Sequence, residues 1–487
     1  MNRLISWLVR VAVCAVVAVA ALLLPCRVRG AEDPFERGQA LAKAGQYAEA
    51  CEQLAKAVEA DPRNATAYSI WGAALHKLGR DAEACEKAAK AIEIEPMYSG
   101  AYYNWGLALR GMGKDAEACE KFAKAVEIEP ADAMAYIEWG NTLEERVKHA
   151  EACEKYAKVV EIDPRCALAY SNWGVVLGRM GKPAEACEQL AKAVEIDPRD
   201  AMAYNEWGNA LQDRDKHAEA REKYAKAVEI DPRCAPAYSN WGVALHKMGK
   251  PAEACEKLAK AVEFSPRLAE AHSSWGMALL SMGQYAEACQ KYAKAAEINP
   301  RHAKAYHNWG WALAQMGKHA EACEKYAKEV EINPRFAEAY RNWGLALEDL
   351  QRYEEACEKH AKAIEINPRD AKAYHDWGVA LFQLGRYPEA CEKYAKAVEI
   401  NPRDAEAHSN WGGALVNLGR NAEACEKCAK ALEIDPRCAL AHANWGVALA
   451  GMGKRAEAEE KWSKAAELNP ALKPQIEEMR KQLPSKE

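Results

Sequence analysis

Seventeen cysteines and twelve histidines are the side chains from which this 487-residue chain could build nucleophilic, redox or metal chemistry. Eleven of the cysteines recur at multiples of 34 residues: Cys51, Cys85, Cys119, Cys153, Cys187, Cys255, Cys289, Cys323, Cys357, Cys391 and Cys425. In an exported protein such a series suggests disulfides. The spacing argues against them, because equivalent helices of successive repeats are separated by an intervening helix, which puts roughly 10 Å between thiols when a bridge needs Cα atoms within about 7 Å. They are expected to be free, buried and small, acting as apolar residues. Cys166, Cys234 and Cys438 fall in turns between repeats and are expected to be exposed thiols. The only C-x-x-C, Cys425 to Cys428, is followed by Ala429, so it lacks the His of a haem-attachment site and has no second pair for zinc. The histidines are scattered over different repeat positions, and no phosphate loop, H-E-x-x-H or calcium loop occurs. The chain is therefore expected to be no enzyme, with no catalytic residue, no metal ligands and no cofactor.

The elements that carry these residues follow from the period. A Trp-Gly pair begins at Trp71 and returns every 34 residues to Trp445, and self-similarity at such a period signals a repeat architecture before it signals separate domains. Framed from Ala31 to Leu472, the chain holds thirteen units, with Lys473 to Glu487 as a tail. The eighth position is always Gly (Gly38 through Gly446), the twentieth always Ala (Ala50 through Ala458) and the thirty-second always Pro (Pro62 through Pro470). Proline ends a helix at each unit boundary. Gly at the fifteenth position, present in ten units, breaks the unit in its middle. Apolar residues at positions 4, 7, 8 and 11, then 20, 24, 27 and 28, keep helical spacing on either side of that break. Each unit is thus predicted to be two helices, called A and B below, brought close by the small residues at positions 8 and 20. Asp33-Pro34-Phe35-Glu36 is expected to cap the first helix, and Pro474 to Leu483 to form a final helix with Ile476, Met479 and Leu483 on one stripe.

This pattern resembles the tetratricopeptide repeat (TPR), matching its motif at positions 4, 7, 8, 11, 20, 24, 27 and 32 through the whole repeat region. One departure is systematic: position 4 is mostly Tyr (Tyr68, Tyr102, Tyr170) and Trp sits at position 7. The small residues at position 10 (Ala74, Ala108, Ala244) and the Cys at position 21 are expected to make room for the indole. The resemblance implies an all-α fold, an α-solenoid or superhelix of thirteen two-helix TPR units over 31–472, one elongated repeat domain closed by a C-terminal capping helix and tail at 473–487; residues 1–30 fall outside it.

The resemblance also implies that A helices line a concave groove, with positions 2, 5, 6, 9, 12 and 13 facing a ligand. Position 6 is Asn in seven units: Asn104, Asn172, Asn240, Asn308, Asn342, Asn410 and Asn444. Aligned amides can donate to and accept from a peptide backbone whatever its side chains, and the series is similar to that of the repeats of O-linked N-acetylglucosamine transferase, whose catalytic domain has no counterpart here. These side chains are expected to point into the groove, so that changing Asn172, Asn240, Asn308 and Asn342 together to Ala leaves melting nearly unchanged and weakens binding. Position 2 changes character, from Gly100, Met134, Leu168, Met202 and Pro236 to Glu270, Lys304, Glu338, Lys372 and Glu406. With Trp311, His307, His375 and Phe382 nearby, Lys304 and Lys372 mark a half suited to a mixed-charge segment. Glu at position 22 and Lys at position 26 (Glu86 with Lys90, Glu188 with Lys192) are expected to pair on a solvated face.

Residues 1–30 hold Arg3, Arg10, an apolar run from Val11 to Leu24 and a short polar exit, which reads as an export signal or, if uncleaved, a membrane anchor. The leader holds four Arg and no acid, so its removal takes the net charge from −6 to −10, and a negative body argues against nucleic acid as partner. The expected function is a non-enzymatic scaffold binding extended protein segments. The alternatives are a recruiting subunit of a separate enzyme and a structural protein that self-associates through its ends.

Overall fold

The computed structural model describes residues 33–481; the leader expected at 1–30 and Leu483 lie outside them. The described residues form twenty-seven α-helices and one 3-10 turn, with no strand. Repeat 1 pairs helix A, Pro34–Lys43, with helix B, Tyr47–Ala60, and the pattern continues to Ala439–Gly451 and Arg455–Leu468 in repeat 13. By contacts the chain falls into two compact units, Met1–Arg214 and Asp215–Glu487, dividing between helices A and B of repeat 6.

The break inside each repeat is conformational. The ten Gly residues at position 15 all have φ between +71° and +80°, a left-handed conformation that costs glycine nothing. Val147, Asp215 and Gln351 hold the same position in the remaining repeats with φ of 59°, 55° and 58°. Helix A then starts at a capping residue: Asn64, Asp132, Asp200, Asp370 and Asp404 each accept a backbone N–H from the first turn. Asp33 does the same for Phe35, with Pro34 at the first helical position. Cys166, Cys234 and Cys438 occupy this capping place without making the bond. Cys234 is buried, at 4% exposure, and the other two are half-buried, so the expectation of exposed thiols fails because the cap position tucks between helices.

Helices A and B meet at position 8. A methyl group built on Gly106 would lie 2.6 Å from the ring of Phe122, and one on Gly140 or Gly276 would lie 2.7 Å from Tyr156 or Tyr292. In most repeats the residue opposite, at position 24, is a large and fully buried side chain: Phe122, Tyr156, Tyr292, Tyr326, Tyr394 and Trp462 are examples. Trp at position 7 is only half-buried. One face meets Tyr at position 4, as in Tyr68–Trp71 with centroids 6.5 Å apart; over the ring lies Lys from position 23, at 4.1 Å for Lys87 over Trp71 and 3.5 Å for Lys291 over Trp275. Ala74, Ala108 and Ala244 are buried as expected. None of the fifteen described cysteines is in a disulfide.

The expected pairing of Glu at position 22 with Lys at position 26 is not the one that forms. Lys90 pairs with Glu93 at 2.7 Å, Lys158 with Glu161 at 2.6 Å and Lys294 with Glu297 at 2.8 Å, three residues on rather than four back. Beyond repeat 13 the helix Lys473–Lys481 buries Ile476 and packs Met479 beside Trp462, which covers the last A–B pair. No described helix is long and apolar enough to cross a membrane.

Candidate functional site

The seven Asn at position 6 are all half-buried on helix A. Four of them donate an amide N–H to the preceding repeat: Asn104 Nδ2 to the carbonyl and hydroxyl oxygens of Ser69 at 3.2 and 3.0 Å, Asn444 to the Ser409 carbonyl at 3.0 Å, Asn172 to Asn141 Oδ1 at 3.0 Å, and Asn410 to His375 Nε2 at 2.9 Å. Asn308 faces the Tyr292 hydroxyl and pulls it down slightly against burial, although that hydroxyl has no hydrogen bond of normal geometry. Asn240 also has a partner. The series is therefore not purely a solvated face: it ties successive A helices, leaving the carbonyl oxygen of each tied amide and, except in Asn104, whose amide donates twice to Ser69, a second N–H.

Position 2 is exposed wherever it carries a long side chain. Met134, Leu168 and Met202 are about half exposed, and Glu270, Lys304, Glu338, Lys372 and Glu406 are exposed too. Leu440 of repeat 13 joins the apolar set at 41%, a residue sequence reasoning passed over. Trp311 is 39% exposed and meets Tyr285 edge-on at 5.9 Å. Position 5, expected to face a ligand, is mostly buried instead, as Ser69, Ile137, Asn205 and Ser409 show. Position 5 is thus less open to solvent than expected.

Three troughs open on this face. One, of about 550 Å³ in the first unit, is lined by Asn172, Val175, Met202, Glu206 and Asp213. Two are in the second unit: one of about 420 Å³ includes Glu270, Lys304, His307, Asn308 and Glu329, and one of about 570 Å³ includes Phe382, Asn410, Leu440, Asn444 and Met479. The second unit also holds His–carboxylate pairs, one of them in the trough of about 420 Å³. His307 Nδ1 meets Glu329 at 2.9 Å, His360 Nε2 meets Glu348 at 2.7 Å, and His375 Nδ1 meets Asp376 at 3.3 Å, with Arg341 3.3 Å from the other oxygen of Asp376. Burial raises Glu329 and Glu348, and their histidines only partly counter it. Burial lowers His375, but the hydrogen bond and charge of Asp376 raise it overall.

The thiols show no sign of nucleophilic tuning. Burial pushes Cys357 up to about 11 and Cys428 to about 12, so both are protonated at neutral pH. Burial likewise raises Cys51, Cys85 and Cys425, partly offset by the indole N–H of Trp71, Trp105 and Trp445 in the next repeat. The indole N–H groups of Trp377 and Trp411 make no hydrogen bond of normal geometry. Among the described residues no group of three or more His, Cys, Asp or Glu is placed to hold a metal.

Family models described as TPR repeat match residues 38–79, 208–249, 276–317 and 378–419. Models described as tetratricopeptide repeat match 303–336 and 405–438, and 99–132 and 167–200. No curated protein matches the chain. Similar solved structures include the Cut9–Hcn1 hetero-tetramer of the APC/C, 15% identical over 92% of this chain and 95% of that one, with a TM-score of 0.45. MamA is 30% identical over 34% of this chain and 96% of its own, with a TM-score of 0.32. YrrB, described as a TPR protein with an unusual peptide-binding site, is 27% identical over 39% and 97%, with a TM-score of 0.33.

Proposed function

The chain belongs to the tetratricopeptide-repeat family, and on that premise we propose that it is a non-enzymatic scaffold whose A-helix face holds extended protein segments. One observation carries this reading: the troughs on that face are lined by residues whose positions repeat every 34, among them Asn172, Asn308, Asn410, Asn444 and Lys304. A surface periodic along the chain suits a ligand that is itself extended, because each repeat can meet successive residues through the same amides and a different position-2 side chain. In repeats 8 to 12 the alternating Glu270, Lys304, Glu338, Lys372 and Glu406 suit a segment of mixed charge. The basic and apolar stretch at residues 1–30 supports placing this scaffold outside the cytoplasm or on a membrane, which N-terminal sequencing of the protein from its host checks.

The test of the face is site-specific photo-crosslinking. Residues replaced one at a time by a photoreactive amino acid at Met134, Lys304 and Lys372 on A helices, and at Glu154 and Glu358 on B helices, are irradiated in host extract. Partner crosslinks are expected from the A-helix positions. Crosslinks from the B-helix positions alone would overturn the reading.

A further inference from the structure

Charge is unevenly satisfied on the A-helix face of repeats 3 to 6. The face carries Arg110 and Arg179 against Glu138, Glu144, Glu145, Glu206 and Asp213. Both guanidiniums are spent: Arg110 on Glu138 and Glu145, each at 2.6 Å, and Arg179 on Glu144. Glu206 and Asp213 have no ion pair among the described residues, and both line the trough of about 550 Å³ between helix A of repeat 5, Ala167–Arg179, and helix A of repeat 6, Ala201–Gln212. The Glu206 carboxylate is held in place, one oxygen accepting from Asn205 Nδ2 at 2.9 Å and the other from Asn209 Nδ2 at 3.1 Å. Ser171, 8% exposed, also lines the trough, and no hydrogen bond engages its hydroxyl among the described residues. Met202 stands at the same trough, 51% exposed, with Leu168 equally exposed one repeat earlier.

We propose that this trough receives an arginine side chain from an extended partner segment whose neighbouring residues are apolar. This deepens the scaffold reading and rests on it. The guanidinium offers five N–H donors in a planar fork. Two carboxylates and a free hydroxyl supply the acceptors, Val175 and Met202 receive the methylene stem, and Leu168 and Met202 receive the apolar flanks. Arg179 also lines the trough but its guanidinium is held by Glu144, so a cationic guest gains charge-assisted hydrogen bonds from Glu206 and Asp213 without displacing an existing pair.

The test uses the full chain and two fluorescent 15-residue peptides of Leu, Met and Ser that differ only at the central residue, arginine in one and its neutral isostere citrulline in the other. The arginine peptide is expected to bind roughly tenfold or more tightly, the weight of a charge-assisted bond. Glu206→Gln/Asp213→Asn should abolish that preference, bringing the two peptides to equal affinity; because Gln keeps only one acceptor for the Asn205 and Asn209 amides, Asp213→Asn alone, which leaves both bonds in place, should narrow the preference with the melting temperature unmoved. Equal binding of the two peptides, or a preference that survives in the double variant, overturns the arginine pocket yet leaves the scaffold reading standing. Failure of the arginine peptide to saturate below ~1 mM overturns the pocket, and the crosslinking pattern separately decides the scaffold.

Discussion

A methyl group at Gly106 would stand 2.6 Å from Phe122, whereas at Gly72 the nearest atom is the Ala84 carbonyl oxygen at 3.1 Å, because Ala88 replaces the usual large residue at position 24. In a helix, Gly→Ala gains about 1 kcal/mol from backbone entropy, and overpacking a ring costs about 1–3 kcal/mol. Gly106→Ala is therefore expected to lower stability and Gly72→Ala to leave it nearly unchanged. Denaturation followed by circular dichroism checks the pair, and equal losses at both sites would refute the packing account. The small residues at position 8 were legible because they never vary along the chain. The Lys that lies over each Trp was not, since Lys87 reads as one more solvated charge until helix B is docked on helix A. The Asn series was half legible: its placement on helix A follows from spacing, but the bonds from Asn104 to Ser69 and from Asn444 to Ser409 depend on how one repeat leans on the last. Their loss should cost about 0.5–1.5 kcal/mol each, so a melting temperature unmoved by Asn→Ala is no longer expected at these positions.

At the scale of the element, the turn between helices A and B tells where the chain departs from its own rule. Val147 adopts φ of 59° at a place where ten other repeats put glycine, and a β-branched residue there carries strain of roughly 1–2 kcal/mol. Val147 is 73% exposed, so no packing compensates. Val147→Gly is expected to raise stability by about 1 kcal/mol after the entropy of glycine in the unfolded chain is charged against it. Hydrogen exchange should show slower opening of 133–166 in particular; faster exchange there would mean the side chain is stabilising after all. The sequence marks this turn clearly, since the fifteenth position stands out even in the three repeats that lack Gly.

Across the whole molecule, mild acid should act with opposite sign on different repeats. Glu329 and Glu348 have raised pKa values, burial first; a carboxyl raised in the folded state contributes stability that is complete below the unfolded value of about 4.3 and is lost as pH rises through the folded one. His272, His408 and His442 are lowered, again by burial first, with the Pro266, Pro402 and Pro436 carbonyls opposing it. Their contribution is present above the unfolded value of about 6.5 and is lost as pH falls below it. Going from about pH 7 to about pH 5, hydrogen exchange corrected for intrinsic rates should slow in repeats 9 and 10 and quicken in repeats 8, 12 and 13. A uniform change would show that the pairs do not act locally.

The sequence alone determined the helix pair, its length, its turn and its small-residue contact, because a 34-residue period repeated thirteen times averages local preferences into a pattern that no single unit could show. It also located position 2 and position 6 on helix A. Only the tertiary structure decided that position 5 is buried, that Cys234 is tucked away, that Lys90 turns to Glu93 rather than Glu86, and that Glu206 and Asp213 are left without cations. Most of these depend on a neighbour brought in from another helix or another repeat, whereas the lysine's choice is made within one exposed helix face. The distance and desolvation that set such contacts come from packing, which spacing along one chain does not encode.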